Sequence, residues 1–247
     1  MAKKSTYDES KIKTLSSLEH IRLRTGMYIG RLGNGSNPDD GIYILLKEVL
    51  DNSIDEFIMG NGDRIDALLK DNKVTVRDYG RGIPLGKVVE CVSVINTGAK
   101  YNDEVFQFSV GLNGVGTKAV NALSEYFRVV SVRNGKYAEA VFERGVLKHE
   151  KQGDAKKGVK NGTLVEFIPD TEIFGEYTFN LDFIEKRMWN YAYLNAGLTL
   201  TFNGASYISE NGLLDLLNAE IGEETLYTIA HFKEAKLEFA FTHTNNY

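Results

Sequence analysis

A single cysteine, Cys91, in 247 residues leaves this chain unable to form an internal disulfide or a cysteine-based zinc site. Its four histidines are scattered and argue equally against a histidine-rich metal site. No apolar run is long enough to span a bilayer and no signal-peptide pattern opens the chain, so no membrane partner is expected and the natural reading is cytoplasmic. Basic residues are outnumbered: 29 Lys and Arg against 34 Asp and Glu give a net charge of −5. A surface that grips nucleic acid by its own field needs the opposite sign. That argues against autonomous DNA binding by this segment, though not against a nucleic-acid role for a longer protein. Prolines number three against 24 glycines. The glycines crowd into 80–86 and 111–116, where a turn or a close approach has to explain them.

What the chain does have is an unusual helix. Glu48-Val-Leu-Asp51-Asn52-Ser-Ile-Asp55-Glu56 follows Pro38 and precedes Gly60. Glu48, Asp51, Asn52 and Asp55 recur at helical spacing and share one stripe, while Leu46, Leu50, Ile54, Phe57 and Ile58 cover the other side. Between Glu48 and Gly60 there are four acidic residues and no base, so i,i+4 pairing cannot offset their repulsion. A solvated acidic face is one explanation. A bound cation is the other, and an Asn one turn after a Glu suits Mg²⁺, a hard ion that takes oxygen ligands.

The hydrophobic share of 43% and charged share of 26% are those of a globular protein, with length for one large domain or one and a half ordinary ones. The first dozen residues read as a polar arm. Ser16-Ser-Leu-Glu19 is a capping box opening a short helix that ends near Gly26. Strands are expected at Arg64–Leu69 and Lys73–Asp78, turning at Asp71-Asn72, and a short helix at Val88–Ile95. A segment without clear period, 98–113, precedes a helix from Gly114 to Leu123. Three further strands, at Phe127–Val132, Tyr137–Phe142 and Val146–His149, are divided by Asn134-Gly135 and Arg144-Gly145 turns. A solvated loop from Gln152 to Asn161, a strand at Thr163–Ile168, a helix at Phe183–Leu194 and a strand at Leu198–Phe202 complete the pattern. Mixed order with hairpins predicts a layered α+β domain on a mixed sheet rather than a βαβ repeat.

Two motifs sit among these elements. Arg77-Asp78-Tyr79-Gly80-Arg81-Gly82-Ile83-Pro84 ends a strand with one charged acceptor, a backbone that a flat ligand can approach, and an apolar side chain to lie on a ring. An adenine pocket fits, as does a plain turn. Gly111-Leu112-Asn113-Gly114-Val115-Gly116-Thr117-Lys118 opens a helix, where free N–H groups and the dipole favour a phosphate. It approaches GxxxxGK[ST], but Thr and Lys stand in reverse order and no clear buried strand precedes it, so a P-loop loses. GxGxxG is not matched.

The acidic helix, the Asp-x-Gly-x-Gly strand end and the Gly-rich loop, in this order, resemble the motifs of the GHKL ATPases. Glu48 to Glu56, Gly26-Met-Tyr28-Ile-Gly30, and Gly111 to Gly116 followed by Ala119-Val-Asn-Ala-Leu123 are more specifically similar to the ATPase component of bacterial type II DNA topoisomerases, the B-type subunit of gyrase and topoisomerase IV. The resemblance runs from Tyr7 through Gly204 and more faintly to the last residue. It implies a two-layer ATP-binding sandwich (the Bergerat fold), with an N-terminal dimerisation arm at 1–15, the ATP-binding domain at 16–210, and the truncated start of a transducer domain at 211–247.

Carried over by position, the resemblance makes Glu48 the general base and Asn52 the ligand of Mg²⁺. Asp78 would bind the adenine amine, with Gly82 and Thr163 completing a water network. Ile83, Pro84 and Ile95 would wall the ring, while Lys100 and the backbone of Leu112, Asn113, Gly114, Val115 and Gly116 would wrap the triphosphate of ATP. Tyr7 and Ile12 would reach into a second copy of the same subunit, near Tyr28. Arg133 matches an arginine touched by coumarin-type ATP-site inhibitors. An A-type subunit and DNA would be partners in the full enzyme. Departures are Thr25 for a Pro, Asn113 for a His and Phe106 for a Tyr, and the segment between Pro84 and Val94 is short. No Gln-x-Lys switch motif, acidic metal cluster or cleavage tyrosine is found, so the chain reads as a fragment. A chaperone or mismatch-repair ATPase is the alternative within the fold. A nucleotide-sensing module without catalysis is the alternative outside it, and Glu48 speaks against that.

Overall fold

Alternation along the strands arranges the molecule around one buried sheet face. The computed structural model describes residues 12, 14–98, 114–222, 225–234 and 237–245. Eight strands, β1 (Arg64–Lys70), β2 (Lys73–Asp78), β3 (Ser124–Arg133), β4 (Lys136–Glu143), β5 (Val146–Asp154), β6 (Gly162–Pro169), β7 (Thr199–Phe202) and β8 (Ala205–Tyr207), form one sheet in the order β5-β4-β3-β6-β2-β1-β7-β8. Neighbours are antiparallel except β1 and β7, so the sheet is mixed as expected. Val74, Val76, Phe127, Val129, Ala138, Ala140, Val165 and Phe167 point into the core. Their neighbours along the chain take the other face, where Arg128 pairs with Glu139 and Glu166, and Glu166 with Lys73.

Helices cover the inner face: α1 (Ser17–Leu23), α2 (Gly26–Ile29), α3 (Gly41–Ile58), α4 (Val88–Ser93), α5 (Gly116–Ala122), α6 (Thr171–Phe174) and α7 (Leu181–Leu194). The result is a two-layer α+β sandwich. Central α3 packs on β2 and β6 and against α5, burying Ile42, Leu45, Leu46, Val49, Leu50 and Ile54. A further helix, α8 (Leu213–Ile221), packs on β10 (Leu237–Phe241), which among the described residues pairs with β9 (Ala230–Glu234) in a separate two-stranded sheet. Among the described residues no helix is long and apolar enough to cross a membrane.

The capping box forms as predicted: Ser16 Oγ accepts from the Glu19 N–H and Glu19 accepts from the Ser16 N–H. Asn134 and Gly135 both take positive φ, the signature of the expected two-residue hairpin. The central helix begins at Gly41, three residues after Pro38, with Asp40 at its N-cap position; the Asp40 carboxylate is taken up by Arg31 (2.7 Å) and the Gly35 N–H (2.9 Å) and makes no capping bond. The predicted loop at 152–161 loses its first residues to β5, which stays paired with β4 as far as Asp154 opposite Lys136. The strand can be this polar because every one of its residues is exposed, so neither of its faces is buried.

Asp170 ties the layers together. It is fully buried, accepts from Arg22 (2.7 Å), Arg144 (3.1 Å) and the Glu172 N–H (3.0 Å), and caps α6. Burial pushes its carboxyl up, but the bonds from Arg22, the Glu172 backbone and Arg144 outweigh this and leave it below the ordinary value. Its stabilisation is therefore present above the unfolded pKa of about 3.9 and lost as pH falls through the lower folded one. Asp170→Ala should cost about 2–3 kcal/mol in urea unfolding at pH 7, by removing the cap of α6 and the buried acceptor of Arg22 and Arg144, which both keep Glu172 beside them. A loss under about 1 kcal/mol would show that these pairs are solvated.

Candidate functional site

Three valines make the floor of the site. Val76, Val165 and Val129 are directly paired across β2, β6 and β3 and project to the inner face. Between this row and α3 lies a cavity of about 300 Å³. Val49, Asn52, Ser53 and Glu56 reach it from α3, Cys91 and Val92 from α4, and Thr117 from α5. Asp78, Arg81, Gly82, Ile83 and Pro84 form one rim, with Arg133 and Thr163 beside them.

Asp78 ends β2 with its carboxylate only 5% exposed. Its Oδ1 accepts from the Gly80 N–H (2.9 Å) and the Thr163 N–H (3.0 Å), and among the described residues no hydrogen bond reaches Oδ2. Burial pushes the carboxyl up to about 6, against the lowering effect of those two bonds and of Arg77.

The 80–84 loop is clasped from two sides. Glu56 accepts from the Arg81 N–H (2.8 Å), Nε (3.1 Å) and Nη2 (2.9 Å). Ser131 Oγ donates to the Ile83 carbonyl (2.6 Å), and Arg133 Nη1 to that of Gly82 (3.3 Å). This close fit explains the glycines. A Cβ on Gly80 would lie 2.7 Å from the Glu56 side chain, and one on Gly82, at φ +75°, 2.7 Å from the Val132 carbonyl.

At the far end, Gly116 meets Glu48 so closely that a Cβ there would stand 1.9 Å from the carboxylate oxygen. Asn52 Nδ2 donates to the Glu48 carbonyl (2.7 Å) and to Thr117 Oγ1 (2.8 Å), tying α3 to α5. Gly114 has φ +59° and precedes Val115, which caps α5 without a side-chain bond.

The acidic stripe is not a solvated face. Asp51 and Asp55 are buried. Asp51 pairs with Lys47, which stands one residue before Glu48, and accepts from Tyr191 (2.5 Å), 140 residues on. Glu56 is held by Arg81. Among the described residues no group of three His, Cys, Asp or Glu could hold a metal. Ile95 packs, partly buried, against the hydrophobic core and is not among the described residues that line the cavity. The chain turns extended at Val94 after α4 ends, and Cys91 and Val92 line the cavity from α4. Ile12 is 67% exposed and does not line the cavity. Tyr7, Lys100, Phe106, Leu112 and Asn113 lie outside the described residues. Sequence reasoning missed Glu56, although it lies one turn after Asn52 on the same stripe.

Residues 37–172, more than half of the chain, match the family model described as histidine kinase-, DNA gyrase B-, and HSP90-like ATPase. The chain belongs to this ATPase family. Individual GHKL relatives place it further. It is 62% identical over 246 residues to the B-type subunit of DNA topoisomerase 4 from Borreliella burgdorferi, covering 99% of this chain and 41% of that protein. It is 37% identical over 265 residues to the B-type subunit of DNA gyrase from Thermus thermophilus, covering 98% and 41%. The crystal structure of the 43K ATPase domain of Thermus thermophilus gyrase B in complex with an aminocoumarin superposes with a TM-score of 0.75 at 32% identity, covering 93% of this chain and 63% of that one. The chain thus spans about two fifths of the length of the two full-length relatives.

Asp78 carries a testable conflict. Its folded pKa stands above the unfolded value, so the fold favours the neutral acid, and the ionised form costs stability as pH rises from about 4 through 6. Asp78→Asn removes that cost, on the order of 2 kcal/mol. The variant should melt higher than the parent at pH 8 and equally at pH 4. Equal melting at both pH values would show that the carboxylate is not desolvated.

Proposed function

We propose that this chain is the ATP-binding and ATP-hydrolysing part of a B-type subunit of a bacterial type II DNA topoisomerase. In that reading, ATP binding closes a gate between two subunits for DNA strand passage, and hydrolysis reopens it. The observation that carries it is the buried Asp78, with one oxygen left to a ligand, at one end of an apolar cavity whose α3 wall leads to Glu48 and Asn52. The adenine amine donates to that carboxylate while the valine floor, Ile83 and Pro84 hold the ring. Gly82 and Thr163 stand where a water network to adenine would form. The relatives named above support the topoisomerase branch and give none to a chaperone or mismatch-repair ATPase.

At the phosphate end, Glu48 takes the proton of the attacking water. Gly114, Val115 and Gly116 supply backbone N–H groups, with Lys100, Leu112 and Asn113 assigned beside them by family resemblance. The residues present fit a magnesium ion. Asn52 carries a carboxamide oxygen, the kind of donor a hard cation takes, one turn after Glu48 on α3. Bound there, Mg²⁺ would neutralise phosphate charge. Tyr7 and Ile12 would engage a second copy of the subunit, while Arg133 would meet ATP-site inhibitors. The division at 1–15, 16–210 and 211–247 is supported at its second boundary by the separate sheet of β9 and β10. An A-type subunit and DNA in the cytoplasm complete the proposed assembly.

Glu48→Gln should lower ATP turnover at least about a hundredfold and leave nucleotide affinity within about threefold, since a base need not touch the nucleotide. Turnover kept at a tenth of the parent rate or above would remove Glu48 from that role. Gly116→Ala tests the same group from the other side. Its added methyl meets the flexible end of Glu48, so the fold should persist while the carboxylate is displaced and turnover falls. Unchanged turnover in a folded Gly116→Ala variant would sink the placement. Calorimetry should find ATP bound and GTP rejected, because a guanine carbonyl would face the Asp78 carboxylate; equal affinities would remove the adenine assignment.

A further inference from the structure

The cavity wall contains one nucleophile without a role in the reading above. Cys91, the chain's single cysteine, is half-buried on α4 and lines the cavity. Its helix is fixed from behind: Val88 and Val92 are buried in the core, and the Asn121 side chain of α5 donates to the Val92 carbonyl at 2.9 Å. The sulfur is therefore held at the wall by packing. A second feature of the same cavity points to a ligand independently. Asp78 is only 5% exposed, and its Oδ2 receives no hydrogen bond among the described residues. One chamber thus holds a recognition group and a soft nucleophile.

We propose that Cys91 is a modification site controlled by nucleotide: an uncharged carbon electrophile entering the cavity alkylates its sulfur, and adduct and adenine nucleotide exclude one another. The inference rests on the adenine-nucleotide reading of the cavity. With iodoacetamide the thiolate attacks the methylene carbon, the S–C bond forms as the C–I bond breaks, iodide leaves, and the thiol proton passes to solvent. Burial pushes the thiol up, with Glu90 adding to this and Lys118 and Lys87 opposing it, so the reaction is slow at neutral pH and faster in mild alkali. Asp78, Glu56, Arg81 and Arg133 all line the cavity and Glu56 is paired with Arg81, so its charge is mixed and the small uncharged reagent enters with neither attraction nor repulsion.

The test combines intact-mass labelling with calorimetry on the whole chain. Native protein should take up one carbamidomethyl group, and Cys91→Ala none. A non-hydrolysable ATP analogue with Mg²⁺ at about ten times its Kd should slow labelling about tenfold. Fully labelled protein should lose nucleotide affinity by about tenfold or more. Cys91→Ala combined with Lys148→Cys, a thiol on the exposed β5 edge, should label equally fast with and without nucleotide. Three results overturn the proposal while nucleotide is seen to bind: unchanged labelling in its presence, unchanged affinity after labelling, or a thiol that reacts only in denaturant. Absence of nucleotide binding to unlabelled protein is a different failure, since it removes the adenine reading first.

Discussion

Glu56 holds the 80–84 loop through three hydrogen bonds to Arg81, and a cavity inside a close-packed protein needs a constraint of this kind to stay open. The floor valines and α3 would gain dispersion energy by closing on one another. They are kept apart because the rim is tied at both ends, by Glu56 to the helix and by Ser131 and Arg133 to β3. Gly80 and Gly82 let the loop lie against those anchors without collision. The chamber is thus a span between two fixed supports, and Asp78, Ile83 and Pro84 take their places from it.

Asp78 shows what that chamber costs the fold. A carboxylate taken out of water with one oxygen unengaged is a poor choice for stability, which is why its pKa rises to about 6. It is a good choice for recognition, because a ligand that donates to it relieves a penalty already incurred. Asp170 marks the opposite case. It is as deeply buried, yet three donors satisfy it and its pKa falls. The same side chain serves structure in one place and binding in another, and the difference lies in how many partners the protein itself supplies.

Local patterns were the legible part of the sequence. The capping box at Ser16, the Asn134-Gly135 hairpin and the apolar stripe of α3 depend on residues within a few positions of each other, so spacing alone exposes them. Glu48, Asn52 and Asp78 could be nominated from motifs for the same reason. The repulsion that looks unrelieved along the stripe is met partly by a near cation, Lys47 four residues before Asp51, and partly by distant groups, Arg81 paired with Glu56 and the Tyr191 hydroxyl donating to Asp51. Cys91, informative in the sequence only for the disulfide it cannot form, lines the cavity.

The position of β6 between β3 and β2 has a consequence in time. Strands β3, β4 and β5 follow one another by short turns and can zip as soon as they exist. The valine floor cannot, because Val76 must meet Val165 across almost ninety residues of intervening chain. β1 then waits longer for its parallel partner β7. A ribosome would therefore have to release most of the chain before any nucleotide could find its floor. The ligand site comes into being late, and its occupation marks a molecule whose slowest pairing is already behind it.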